Sequence, residues 1–454
     1  VAVKPNLPRR LAWEVLVDVA TEDAYANLLL PAKLARTHVS GQDAAFATEL
    51  TYGTLRGQEF YDAVIEKAAG RPVSAIDPEP LAAMRMGAHQ VLAMRVPDHA
   101  AVAETVGVVK RSAPRTAGFV NAVLRRIAEA DRDTWLERVS AGLSETGRRA
   151  VEHSHPEWVV RALTQALKGH GRDAAEIDTL LTADNAPAQV AVTALPGLLD
   201  RAELPGVPTP LSPVGVHLDD TVPRDVPAIA EGRARVQDEG SALVALALAH
   251  VSAPDGPWAD LCAGPGGKAA LLAATARAEG EVLAAFDSSP HRVSLVETST
   301  QALENVTVAV ADARDATGPY AKVLVDVPCT GLGALRRRPE ARYRRRPEDV
   351  NALAGLQREI LTAALDACAP GGVVAYSTCS PHYAETVLVV DDVLRSRGET
   401  VEVLDAPAVL AEVTGAEAES FASVGRGSGG FAQLWPHVHD TDGMFLALLR
   451  KAPL

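Results

Sequence analysis

Residues 257–287 read PWADLCAGPGGKAALLAATARAEGEVLAAFD, and the fold is decided there. A short apolar run breaks at Gly264, Gly266 and Gly267, an alanine- and leucine-rich helical run follows, and a second apolar run closes on Asp287. Strand, glycine loop, helix and strand make one βαβ unit. The rhythm continues with HRVSLVETSTQAL (291–303) before VTVAVAD (306–312) and AKVLVDV (321–327). It ends with VNALAGLQREILTAALDACA (350–369) before GGVVAYSTCS (371–380). Such alternation predicts an α/β domain with a Rossmann-like, doubly wound parallel sheet over residues 236–454.

Upstream the texture differs. LAWEVLVDVA (11–20), LAAMRMGAHQVLAMR (81–95) and AVAETVGVVKR (101–111) place apolar residues on one helical face. Ser40 and Asp43 form a capping-box signature ahead of AAFATELTYGTL (44–55). Residues 1–145 therefore read as an all-α domain. Residues 146–235 combine a helical run at HPEWVVRALTQAL with a proline-rich tract at 204–227, the pattern of a small α+β linking domain.

The 454 residues are 47% hydrophobic and 22% charged, which excludes wholesale disorder. No apolar run reaches the ~20 residues of a membrane span, and no secretory signal stands at the start, so the expected setting is the cytoplasm. A formal charge of −14 means that nucleic acid, if bound, must meet a local basic patch. The four cysteines make neither a disulfide framework nor a metal-ligand spacing, so no metal is expected. No obligate protein partner is evident.

In open parallel sheets, ligands bind beyond the carboxyl ends of the strands. Those ends carry, in order, Cys262-Ala263-Gly264-Pro265-Gly266-Gly267-Lys268, then Asp287, Asp312, Asp326-Val327-Pro328-Cys329 and Ser377-Thr378-Cys379. Turn chemistry explains any one aspartate but not the whole series. The glycine loop is not a phosphate-binding P-loop, because Cys262 and Ala269 stand where glycine and Ser/Thr are required. Gly264, Gly266 and Ala269 do fit the dinucleotide fingerprint, with Asp287 placed to hold a ribose and Arg292 to flank an adenosine. NAD and S-adenosyl-L-methionine (SAM) both suit such a loop.

The cysteines discriminate. Hydride transfer has no use for two thiols, whereas methylation of a pyrimidine at carbon 5 does. Cytosine C5 is a poor nucleophile until a thiolate adds to C6 and moves electron density onto C5. An acid at N3 stabilises the adduct, and a base must later remove the C5 proton. Asp326, Cys329 and Cys379 make up that set.

At these residues the sequence resembles the NOP2/Sun RNA cytosine-5 methyltransferases, in particular the bacterial 16S rRNA Sun/Fmu (RsmB-like) type. The resemblance lies in VQDEGSALV (236–244), DLCAGPGGK (260–268), DVPCTGLGALRRRPEARYRRRPED (326–349), YSTCS (376–380) and HDTDGMFLALLR (439–450). The N-terminal helices are similar to the NusB-type RNA-binding domain. The resemblance implies Cys379 as nucleophile, Cys329 as helper in product release and Asp326 at the cytosine amidine edge. It also implies Cys262–Lys268 around the methionine end of SAM, Asp287 at the ribose and Asp312 near the adenine. Gly264 and Tyr343 depart from the family's usual Ala or Cys and Trp.

Arg336, Arg337, Arg338, Arg342, Arg344, Arg345 and Arg346 crowd the stretch after the Pro-Cys motif, with Glu340 the one acid among them. Arginine pairs phosphate oxygens in two-pronged fashion, so this run is the expected RNA contact, with Tyr343 stacking on a base or sugar. The expected activity is SAM-dependent methylation of cytosine C5 in RNA, with 16S rRNA the expected substrate. The alternatives are an NAD-dependent oxidoreductase and a non-catalytic RNA-binding assembly factor.

Overall fold

The computed structural model describes residues 6–22, 24–219, 221–424 and 430–453. They form two compact units. One runs through Arg161 and takes in Leu335–Arg344; the other holds Ala162–Ala334 and the chain from Arg345 onward.

The first unit is helical. In Leu7–Thr21 the residues Leu11, Ala12, Val15 and Leu16 share one face and are buried. The Asn6 side chain accepts from the Arg9 amide and caps that helix. Ser40 does precede the helix Gly41–Arg56, but its hydroxyl makes no capping bond. Gly41 takes φ +59°, outside the regular first turn that a capping box needs. Arg132–Ser140 and Glu145–Glu152 continue the helical content, capped by Asp131 and Ser144, and the second runs past residue 145.

The arginine-rich segment returns to this helical unit, so part of the run expected to meet RNA is packed against protein. Arg342 is wholly buried, and its Nη1 donates to the Ser154 carbonyl at 2.7 Å. The Tyr343 hydroxyl accepts from the Glu59 amide at 3.0 Å. Arg344 and Arg338 lie over the Tyr25 ring at 4.3 and 5.6 Å, and Arg344 also donates to the Ala24 carbonyl. Arg336 is buried too. These carbonyl and ring contacts hold the Arg338, Arg342 and Arg344 side chains against the helical unit. Arg345 and Arg346 alone in the run remain exposed; Arg337 is half-buried.

The second unit carries two sheets. A small antiparallel one places Ala191–Ala194 between Gly215–His217 and Ala234–Val236, with Val207–Pro208 at its edge. Val192, Leu204, Val216 and Val226 are its core. It lies in the stretch read as a linking α+β domain and packs as part of this second unit. Glu239, for example, accepts from the Leu211 and Ser212 amides at 2.6 and 2.5 Å.

In the large sheet the strands run 306–310, 283–287, 258–260, 320–326 and 368–378 in parallel. Phe445–Lys451 adds antiparallel to 368–378, and three short strands complete the edge. Side chains alternate between two buried layers, as parallel strands covered on both faces require. Trp258, Leu324, Val373 and Ala375 enter one layer, and Ala259, Val323, Val325, Val374 and Tyr376 the other. Chain order reverses between strand 258–260 and strand 320–326. That reversal opens a crevice at their carboxyl ends, where Asp260 and Asp326 stand.

Candidate active site

The loop after Asp260 is built for close approach. The Ala263 amide donates to the Phe286 carbonyl, and the Gly264 amide to Asp287 Oδ2 at 3.0 Å. At Gly266 φ is +106°, and a Cβ there would lie 2.4 Å from the Ser299 Cβ, so only glycine fits. The helix Gly267–Ala278 then starts directly behind the loop. Asp287 is buried and also accepts from the Ser289 amide at 2.9 Å, which holds its carboxylate beside the loop.

Lys268 and Asp326 meet across the crevice. Lys268 Nζ stands 2.8 Å from Asp326 Oδ2, while Ser377 Oγ donates to Asp326 Oδ1 at 3.0 Å. Burial pushes the Lys268 ammonium down, but the Asp326 charge and hydrogen bond outweigh it and leave it raised. Asp260 is pushed up to about 7, first by burial and then by the nearby Asp326 charge. Burial and the same three carboxylates (Asp260, Asp326, Asp287) hold the Cys262 thiol well above its ordinary value, so Cys262 stays protonated.

Cys329 and Cys379 come together. They lie 50 residues apart in sequence, yet their sulfurs are 3.4 Å apart. The Cys329 thiol is raised well above its usual value, chiefly by its hydrogen bond to Cys379 and then by burial. Cys368 begins the strand 368–378, is buried, and is pushed up to about 11 by that burial.

Two further residues stand apart from this cluster. Asp312 caps the turn Ala313–Asp315 and closes a bidentate pair with Arg314, which draws its carboxyl down to about 2. Arg292 is mostly exposed and reaches no closer than 3.9 Å to Asp287. Sequence reasoning missed Asp260, whose place at the end of the first strand was a signal available to be read. Ser377 stood among the strand-end residues, and only the structure shows that its hydroxyl bonds Asp326. Among the described residues, no group of His, Cys, Asp or Glu is arranged to hold a metal.

A doubly wound sheet with a glycine loop and acids at its switch point defines a Rossmann-like domain, in a chain that also carries a helical unit. Comparison with known proteins carries this further. A model of the 16S rRNA methyltransferase RsmB/F family matches residues 246–450, and one of the NusB family matches residues 6–129. A Mycobacterium tuberculosis protein whose name makes it a candidate methyltransferase is 47% identical, covering 98% of this chain and 96% of its own. Ribosomal RNA small subunit methyltransferase B of Pseudomonas putida is 32% identical, over 84% of this chain and 88% of its own. The crystal structure of PH0851 shares the fold with a TM-score of 0.79 at 22% identity, covering 99% of this chain and all of that one. The chain belongs to the RsmB/F family and is an rRNA methyltransferase.

Proposed function

We propose that the chain transfers the methyl group of SAM to carbon 5 of a cytosine in 16S rRNA, through a transient bond between Cys379 and C6. The observation that carries this reading is the pair of thiols 3.4 Å apart at the mouth of the crevice. The donor choice rests on charge. Asp260, Asp287 and Asp326 face the loop against Lys268, a surplus of negative charge that suits a cationic sulfonium and repels the pyrophosphate of NAD. Asp287 and the backbone of Cys262–Lys268 would hold the donor, which supplies the methyl group. An rRNA substrate sets the reaction in the cytoplasm.

The order of events follows from the sulfurs. Cys329 keeps its proton while it is hydrogen-bonded to Cys379, which leaves the Cys379 sulfur as the one to attack. Cys379 gives its proton to solvent, the S–C6 bond forms and the ring electrons move to C5, with the Lys268–Asp326 pair steadying the charge at the N3 edge. C5 then takes the methyl group, and the donor's sulfur is left as a neutral thioether. Once Cys379 is bonded to carbon, the hydrogen bond and the charge that raised Cys329 disappear. The Cys329 thiol then ionises more easily, gives its proton to solvent, and takes the C5 proton as the S–C6 bond breaks. Arg345 and Arg346 are the arginines of the run left to meet phosphate.

The test is methylation of 16S rRNA with SAM, read by bisulfite mapping and by denaturing gels. Cys379→Ala is expected to abolish turnover, and Cys329→Ala to accumulate a covalent protein–RNA complex. Trapping by the Cys379 variant instead would reverse the two roles.

A further inference from the structure

A buried carboxyl joins the two thiol-bearing loops, and the reaction scheme above does not use it. Glu385 lies in the turn Tyr383–Glu385 and is wholly buried. Its Oε1 accepts from the Thr330 amide at 2.8 Å and from Gln357 Nε2 at 3.3 Å. Its Oε2 accepts from the Thr330 hydroxyl and, at 2.7 Å, from the Ser380 hydroxyl. Thr330 directly follows Cys329, and Ser380 directly follows Cys379. Gln357 Nε2 also donates to the carbonyl of Pro328, the residue before Cys329, at 2.8 Å. The Tyr376 hydroxyl pins the Glu385 carbonyl at 2.6 Å.

Burying a carboxylate is costly, so one that accepts four hydrogen bonds is held firmly and makes its neighbours share its rigidity. Here those neighbours flank both sulfurs. On the reading that Cys329 and Cys379 are the reacting thiols, we propose that Glu385 is a positioning residue that sets the distance between them by tying Thr330 to Ser380. The device depends on length. Aspartate is one methylene shorter and cannot reach both loops, whereas glutamine spans the same gap and can turn its amide towards hydroxyls that also accept.

The experiment compares Glu385→Asp, Glu385→Gln and wild type in two readouts. The first is the rate at which diamide links Cys329 to Cys379, mapped by peptide mass spectrometry; two thiols are oxidised to a disulfide as the diazene is reduced to a hydrazine. The second is kcat and the SAM KM for rRNA methylation. In Glu385→Asp, the linking rate is expected to drop severalfold and kcat about 100-fold, the usual cost of a misplacement near 1 Å, with the SAM KM unchanged. Glutamine should restore most of both. Wild-type linking and kcat in the aspartate variant would overturn the proposal, as would a SAM KM that rises in step with the loss of kcat. Ser380→Ala removes one tether and serves if the aspartate variant does not fold; wild-type linking there would also overturn it. Should wild type leave cytosine unmethylated, the linking rates still judge Glu385, and only the proposed function fails.

Discussion

Lys268→Met keeps an unbranched apolar stem while deleting the cation between Asp326 and Asp260. Lys268 Nζ and Asp326 Oδ2 are 2.8 Å apart, an attraction of about 6 kcal/mol at an effective dielectric near 20. Desolvation has already consumed part of that, and losing one partner of a buried pair costs about 3–5 kcal/mol. The pH dependence separates this from a packing defect. Asp260 titrates at about 7 in the folded chain with Lys268 in place. In the unfolded chain an aspartate titrates near ~3.9. Between those values the folded chain holds a proton that the unfolded chain has lost, so stability falls by about 1.4 kcal/mol per pH unit as pH rises. Above the folded value that contribution is gone. Without Lys268 the Asp260 carboxyl moves higher still, and the falling window extends upward. The variant should therefore be about 3–5 kcal/mol weaker than wild type at pH 8.5, and less so at pH 5.5, where Asp260 keeps its proton in both chains. Amide exchange of peptides covering Trp258–Asp260 and Tyr320–Asp326 along a urea gradient reads this locally, because two units need not unfold in one transition. An equal loss at both pH values, or none at pH 8.5, would refute the electrostatic account.

Gly264→Ala would set a Cβ 2.5 Å from Asp287 Oδ2 and 2.7 Å from the Arg292 Cβ. The SAM KM should rise about tenfold with kcat little changed, since donor binding and not chemistry is disturbed. An unchanged KM would refute the crowding of Asp287 and Arg292 as a hindrance to donor binding. Arg345→Ala and Arg346→Ala should each flatten the salt dependence of RNA binding, by up to about 0.7 in the log–log slope. Arg342→Met should leave that slope alone and cost the helical unit about 1–3 kcal/mol, because it strips a donor from the Ser154 carbonyl. Equal salt slopes for Arg345→Ala and wild type would remove that arginine from the RNA contact.

The strand ends were legible because period, glycine placement and length are local properties of the chain. Asp287, Asp326, Cys329 and Cys379 all stand where their apolar runs stop, and the sheet puts them there for that reason. How much of the arginine run is buried was not legible, because charge density says nothing about burial. Arg342 and Tyr343 look solvent-facing in sequence, yet their donors and acceptors are consumed by Ser154 and Glu59. The pairing of Asp312 with its neighbour Arg314 was likewise not legible in the strand-end pattern.

The amino-acid order by itself determined the alternation of strand, loop and helix, and the chemical groups at each strand end, since these depend on spacings of a few residues. Tertiary structure alone decided that two sulfurs 50 residues apart stand 3.4 Å from each other. It alone decided that Lys268 answers Asp326, and that Glu385 ties together the loops bearing the thiols. Side-chain meetings across a sheet depend on strand order and register, which hydrogen bonding and burial settle only when the whole unit packs.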